Sequence, residues 1–148
     1  MLPKTPIDPL EAYVLVVDDN LHDLVLICRL LASVGIEIQR YESATSGWWL
    51  EDFADIMPRI DLVLMDLNLP YEDGYNILTR LRQNRRFLNT CIVAITADAN
   101  PGNMKKAKIA GFDGFIGKPI DPDQFPKQIV DILQGKMVWC LGVDSSQV

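Results

Sequence analysis

A short apolar run in the middle of the chain constrains the fold more than any other stretch. Residues 62–65 are four consecutive apolar residues, without the alternation of a strand that has one face in water. Such a run is typical of a strand that helices cover on both faces, as in a parallel sheet. The run ends in Asp66. In open α/β sheets, the carboxyl ends of the strands are where ligands bind and chemistry occurs.

A buried strand followed by a helix is a pattern that repeats along the chain. The other strands are predicted at residues 13–17, 37–41, 91–96 and 113–117, and the helices at about 21–34, from 45, around 77–81, at 101–110 and at about 122–134. Five such units with short connections favour right-handed crossovers. We therefore predict an α/β fold, a doubly wound five-stranded parallel sheet in the flavodoxin-like order 2-1-3-4-5, with helices on both faces. The predicted domain covers residues 12–135, with an N-terminal tail at 1–11 and a C-terminal tail at 136–148.

The composition narrows the class of protein and its location. A chain of 148 residues has the length of one domain, and a formal net charge of −6 argues against a nucleic-acid partner, which clustered basic residues would bind. Three cysteines without metal-type spacing predict reduced thiols in the cytoplasm. No apolar run reaches transmembrane length, so we expect neither a membrane segment nor a membrane partner.

Polar side chains follow four of the predicted strands. They are Asp18 and Asp19, Asp66, Thr96, and Lys118. In the predicted strand order the acidic residues of the first and third strands are neighbours, at a strand spacing of about 4.8 Å. Three carboxylates this close repel one another unless a cation lies between them. All-oxygen ligation favours Mg²⁺, with Mn²⁺ as an alternative. We interpret Asp66 as a phosphate-accepting nucleophile beside this metal.

The motifs as a set resemble the receiver domain of two-component response regulators, the CheY-like family. The resemblance covers about residues 12–135 and lies in Val16-Val17-Asp18-Asp19-Asn20, Met65-Asp66-Leu67-Asn68-Leu69-Pro70, Asp73-Gly74, Ile95-Thr96-Ala97 and Gly114-Phe115-Ile116-Gly117-Lys118-Pro119. It implies a phosphoprotein of two-component signalling that works in a phosphorelay. It also implies that the bond between Lys118 and Pro119 is cis.

The resemblance also implies a role for each site residue. Asp66 would accept the phosphoryl group, and Lys118 would bind one of its oxygens. Asp19 and Asp66 would ligate Mg²⁺ by side chain, Asp18 mostly through water, and Asn68 through its backbone carbonyl. Thr96 would move toward the phosphoryl group, and Phe115, where many relatives have tyrosine, would turn inward behind it.

The expected function follows from these roles. The chain is expected to be a stand-alone response regulator receiver. It is expected to be a phosphoacceptor signalling domain and not an enzyme, although it would catalyse its own phosphoryl transfer and autodephosphorylation. Its expected partners are a sensor histidine kinase or a histidine phosphotransfer protein, and a downstream protein target. The target would read a surface formed by the fourth predicted helix, the fifth strand and the fifth helix.

Three alternatives remain at this stage. The chain could be a receiver excised from a hybrid histidine kinase. It could be an aspartyl-phosphate hydrolase of the haloacid dehalogenase type, although Asn68 stands where such enzymes have a second carboxylate. It could also be a flavodoxin-like scaffold that binds partners without phosphorylation, against which the acidic pair, Thr96 and Lys118 argue.

Three further features carry separate expectations. His22, the single histidine, is predicted to be a surface residue. Trp48 and Trp49 are adjacent, so on a helix they point about 100° apart, and one of them is expected to be partly exposed. The C-terminal segment around Trp139 is more apolar than a solvated terminus. Packing back on the domain is the simpler interpretation, and a homodimer or other partner interface is the alternative.

Overall fold

The computed structural model describes residues 6–43, 57–70 and 72–142, with the backbone alone described at 38–43. The strands are β1 (Val14–Asp18), β2 (Ile38–Ser43), β3 (Leu62–Asp66), β4 (Cys91–Thr96), β5 (Gly114–Gly117) and β6 (Trp139–Cys140). The helices are α1 (Leu21–Ala32), α2 (Gly74–Arg82), α3 (Pro101–Ala110) and α4 (Phe125–Leu133), with short 3-10 turns at Pro9–Glu11 and Arg85–Phe87. The helix predicted from residue 45, with Trp48 and Trp49, lies outside the described residues.

The sheet is parallel throughout, with the strand order β2-β1-β3-β4-β5-β6. The first five strands confirm the predicted doubly wound, flavodoxin-like fold. The predicted strand count was one short, because Trp139 and Cys140 add a sixth strand beside β5. The apolar C-terminal segment therefore packs back on the sheet of its own chain.

The buried strands supply two hydrophobic clusters, one on each face of the sheet. In β1, Leu15 and Val17 point to the face that α2 and α3 cover, whereas Val14 and Val16 point to the face that α1 and α4 cover. All residues of β1 and of β3 are buried. This two-sided burial is why these strands show no polar alternation.

The helix ends largely follow their capping residues. Asn20, Asp73 and Asn100 cap α1, α2 and α3, since each side chain accepts a hydrogen bond from a backbone N–H three residues on. Gly111 ends α3 with φ of 110°, a left-handed conformation that favours glycine. The last helix begins at Phe125 and not at the predicted residue 122. No side chain caps α4 at its start.

Arg82, at the end of α2, joins several loops at the amino ends of β4 and β5. Its guanidinium donates to the carbonyl oxygens of Phe87 and Thr90, at 3.3 and 3.0 Å, and to Gly111 O at 3.3 Å. It also forms a 2.7 Å ion pair with Asp113, whose side chain is 3% exposed. The same Asp113 oxygen accepts from Ile92 N at 2.9 Å. Arg82 also lies in the last turn of α2, where a cation interacts favourably with the helix dipole. We call its contacts with these four residues the Arg82 clamp.

Both predicted tails contact the rest of the chain. In the N-terminal tail, Ile7 N donates to Leu133 O at 2.7 Å, and in the C-terminal tail Val138 O accepts from Phe115 N at 2.9 Å. The predicted domain bounds stay a prediction. Within the described part of the chain, no helix combines the length and the apolar character that crossing a membrane requires.

Candidate functional site

Asp18 and Asp19 lie at the carboxyl end of β1, next to the start of α1. Asp18 is 1% exposed, and its Oδ1 accepts a 2.8 Å hydrogen bond from Asn20 N. Asp19 is exposed. Burial raises the pKa of Asp18 to about 6 from its ordinary value of 3.8, against the opposing hydrogen bonds from Asn20 N and Lys118. The first strand therefore presents one buried and one solvent-facing carboxylate.

Asp66 ends β3, the neighbour of β1, and is held at both of its oxygens. Oδ1 accepts from Asn68 N at 2.8 Å, and Oδ2 accepts from Lys118 Nζ at 3.0 Å. One oxygen from each of Asp18, Asp19 and Asp66 lies within 4.8 Å of the other two. The predicted acidic cluster thus forms at the predicted edge of the sheet.

Lys118 directly follows β5, and its ammonium lies among three carboxylates. Nζ is 2.9 Å from Asp18 Oδ2, 2.8 Å from Asp23 Oδ2 and 3.0 Å from Asp66 Oδ2. Burial lowers the pKa of Lys118, but the hydrogen bonds to Asp23, Asp18 and Asp66 outweigh it, so that the pKa is raised overall. The bond between Lys118 and Pro119 is cis, as predicted. The lysine is therefore the internal counter-ion of the acidic cluster.

Asp23 is the contact that the sequence interpretation missed. It lies in the first turn of α1, where an acidic residue is already explained by the helix dipole. Its backbone N–H is bonded to the Asn20 cap, while its side chain reaches Lys118. The sequence signal was a third acidic residue within six positions of Asp18, and it does not reveal a partner on a distant loop.

Thr96, at the end of β4, is connected to Asp66 through Asn68. The Asn68 side-chain amide donates to Thr96 Oγ1 at 3.2 Å and to Asp98 Oδ2 at 3.0 Å. Asp98 N also donates to Thr96 Oγ1, at 3.0 Å. In the next strand connection, Lys118 N donates to Thr96 O at 2.8 Å. A hydrogen-bonded chain thus links the ends of β3, β4 and β5.

Phe115 and His22 occupy contrasting positions. Phe115 lies in β5 opposite Ala94 of β4 and is fully buried in the cluster under α2 and α3. The inward position expected after switching is therefore the one present here. His22 is exposed on α1, as its predicted surface position requires.

The cluster fits a hard divalent cation. Three carboxylate oxygens within 4.8 Å are ligands of the type that Mg²⁺ and Mn²⁺ prefer. The raised pKa of Asp18 indicates that its buried negative charge is only partly compensated by the lysine. A divalent cation beside these oxygens would favour their charged forms.

An acidic edge on a doubly wound parallel sheet, with a lysine and a threonine at the ends of neighbouring strands, is typical of the receiver domains of two-component signalling. The family model described as response regulator receiver domain matches residues 14–130. The chain belongs to this family.

The similar proteins include one of similar size and one much longer. The chain is 31% identical over 122 residues to the chemotaxis protein CheY of Treponema pallidum, covering 82% of each chain. It is 34% identical over 124 residues to the signal transduction histidine-protein kinase BarA of Escherichia coli, covering 84% of this chain. It spans only 13% of the length of BarA.

Solved structures show the same fold. The chemotaxis response regulator CheY4 of Vibrio cholerae superposes with a TM-score of 0.69 and 25% identity, over 80% of this chain and 95% of that one. A two-component response regulator of the LuxR family from Aurantimonas superposes with a TM-score of 0.73 and 26% identity, over 86% and 88%.

Proposed function

We propose that Asp66 accepts a phosphoryl group from a phosphohistidine of a sensor histidine kinase or a histidine phosphotransfer protein. The observation that carries the proposal is the position of Asp66, which has an oxygen within 4.8 Å of an oxygen of both Asp18 and Asp19 and another oxygen 3.0 Å from the Lys118 ammonium. A phosphoryl acceptor needs this combination, because charge neutralisation and positioning do most of the work in phosphoryl transfer.

The proposed transfer is an exchange of one bond for another. An Asp66 carboxylate oxygen forms the new O–P bond while the N–P bond of the donor phosphohistidine breaks, and the donor nitrogen keeps the electron pair. Asp18, Asp19 and Asp66 side chains and the Asn68 carbonyl would hold Mg²⁺. Bound Mg²⁺ would supply neutralising charge for the phosphoryl oxygens.

Lys118 and Thr96 are proposed to bind the phosphoryl group after transfer. An acyl phosphate carries about two negative charges where the carboxylate carried one. The Lys118 ammonium is already 3.0 Å from Asp66 Oδ2, and the N–H that it donates there would be redirected to a phosphoryl oxygen. The Thr96 hydroxyl accepts two hydrogen bonds, from Asn68 and Asp98 N, so its own proton remains available to donate. The self-catalysed transfer and the later autodephosphorylation would both take place at the Asp66 carboxyl group.

We also propose that the chain works as a stand-alone receiver whose protein target reads the surface of α3, β5 and α4. The chain covers 82% of the CheY relative and 13% of the histidine-protein kinase BarA, so a segment like this one occurs both in a protein of similar size and in a much longer one. Detection of the endogenous protein by mass tests it. A species of 148 residues is expected, and a much longer protein that contains this segment would contradict it.

Intact mass spectrometry after incubation with acetyl phosphate and Mg²⁺ tests the phosphoacceptor. We expect the gain of one phosphate in the wild-type chain, and no gain in Asp66→Asn or in wild type with EDTA. Asp123→Asn, the same chemical change at an exposed position, is the matched control and should be labelled as wild type is. Equal labelling of Asp66→Asn would refute Asp66 as the acceptor.

A further inference from the structure

The C-terminal segment covers the edge of the sheet next to the proposed site. Phe115 pairs with Trp139 and Ile116 pairs with Cys140, and Phe115 N donates to Val138 O at 2.9 Å. β6 therefore occupies the row of backbone groups that β5 would otherwise present to a partner strand.

Two glycines of β5 make this contact possible. A Cβ at Gly114 would lie 2.9 Å from Val138 O, and a Cβ at Gly117 would lie 2.3 Å from Leu141 O. Real side chains essentially never approach backbone this closely. Residues 138–141 can lie this close to β5 because glycine has no side chain at positions 114 and 117.

Trp139 is the side chain that connects β6 to the switch residue. Neighbouring residues of paired parallel strands point to the same face, so Trp139 lies beside Phe115, about 4.8 Å away at the backbone. Trp139 and Leu141 pack against the cluster that contains Phe115, which is fully buried. On the outer side, Lys108 Nζ of α3 lies 4.8 Å from the centre of the Trp139 ring. Trp139 therefore lies beside both Phe115 of β5 and Lys108 of α3, where its ring would obstruct an outward turn of Phe115.

We propose that β6 docks selectively on the chain with Phe115 inward, and so couples the C-terminal segment to phosphorylation. The inference rests on the proposed phosphorylation of Asp66 and on the inward turn of Phe115 that the resemblance to receiver domains implies for the phosphorylated chain. The two ends of β5 are physically connected, because Gly117 pairs with Thr96 and Lys118 N bonds to Thr96 O at 2.8 Å. By linkage, a ligand that favours the inward state must tighten β6, and displacing β6 must weaken that ligand equally.

The reactivity of Cys140, a partly exposed thiol within β6, reports docking in the full chain. Iodoacetamide labelling is followed by peptide mass spectrometry, with Mg²⁺ alone and with Mg²⁺ plus beryllofluoride, a phosphoryl mimic. We expect beryllofluoride to slow Cys140 labelling by about fivefold or more, the lower end of usual coupling. Cys28 on α1, also partly exposed, is the internal control and should keep its rate.

The reverse direction uses a variant that pushes β6 away without changing any of its residues. Gly114→Ala places a methyl group against Val138 O, and we expect its beryllofluoride affinity, measured by calorimetry, to fall by the same factor as the labelling change. Gly102→Ala on α3 meets its nearest atom at 3.4 Å and should bind as wild type does. Trp139→Ala is a second test, because it removes the ring beside Phe115, and its beryllofluoride affinity should also fall.

The outcomes separate this inference from the proposed function. Equal Cys140 labelling with and without beryllofluoride, in a chain that still gains phosphate on Asp66, would overturn the coupling and leave the phosphoacceptor standing. Unchanged beryllofluoride affinity in both Gly114→Ala and Trp139→Ala would also overturn it. A chain that gains no phosphate from acetyl phosphate would overturn both proposals.

Discussion

Lys118→Met removes the internal counter-ion of the acidic cluster and keeps most of the side-chain volume. The lysine side chain is 12% exposed, and its partners Asp18, Asp66 and Asp23 are 1%, 7% and 27% exposed. Removing one partner of a buried ion pair costs about 3–5 kcal/mol, because the remaining charge is left uncompensated. The Asp23 contact is nearer to a surface pair, which is worth at most about 1 kcal/mol. Since the freed carboxylates can take up protons, we expect a loss at the lower end, about 3 kcal/mol at pH 7 in EDTA.

Urea unfolding followed by circular dichroism measures this loss, in EDTA and in saturating Mg²⁺. A bound cation stabilises the folded chain, and it should do so more strongly in the variant, whose cluster is more negative. We expect the difference between variant and wild type to shrink to about 1 kcal/mol in Mg²⁺, because the metal then replaces the ammonium as counter-charge. Stability is thus predicted to depend on which cation the site holds.

Lys136→Met is the matched control. Its ion pair with Asp131 is 3.7 Å long, with side chains 68% and 45% exposed, so that its loss should lower the free energy of unfolding by less than about 1 kcal/mol. The reasoning is refuted if Lys118→Met unfolds like wild type in EDTA, or if its loss is as large in Mg²⁺ as in EDTA.

Three other predictions concern stability in urea. The pKa of Asp18 in the folded chain is about 6, above its ordinary value of 3.8. In EDTA the free energy of unfolding should therefore fall by roughly 3 kcal/mol as the pH rises from about 4 to above 6. Asp18→Asn should abolish this pH dependence. Arg82→Met should lower the free energy of unfolding by about 3–5 kcal/mol, because it leaves the buried Asp113 carboxylate uncompensated. The exposed Arg85→Met is the control and should lower it little, and equal losses in the two variants would contradict the role of the Arg82 clamp. Gly111→Ala, at φ of 110°, should cost about 1–2 kcal/mol, and no loss would show that the turn tolerates a side chain.

The central part of the fold and of the site could be predicted because both follow from local pattern. Burial of β1 and β3 on both faces removes polar alternation, and the carboxyl ends of parallel strands meet at one edge. Strand order then brings Asp18 and Asp66 together without further information. Capping residues place the starts of α1, α2 and α3 in the same local way.

The parts that were missed depend on contacts between distant segments. Asp23 in the first turn of α1 and Lys118 after β5 form an ion pair although they are far apart in the sequence. β6 is two residues long, and its close approach to β5 requires the glycines at positions 114 and 117. The start of α4 has no side-chain cap, so the sequence offers no clear signal there.

The Arg82 clamp has a mechanical consequence for the opposite edge of the sheet. It ties the segments that enter β4 and β5 at Thr90 and Asp113. Because both strands are held at the same end by one side chain, we expect movements of their far ends, where Thr96 and Lys118 lie, to be coupled and not independent.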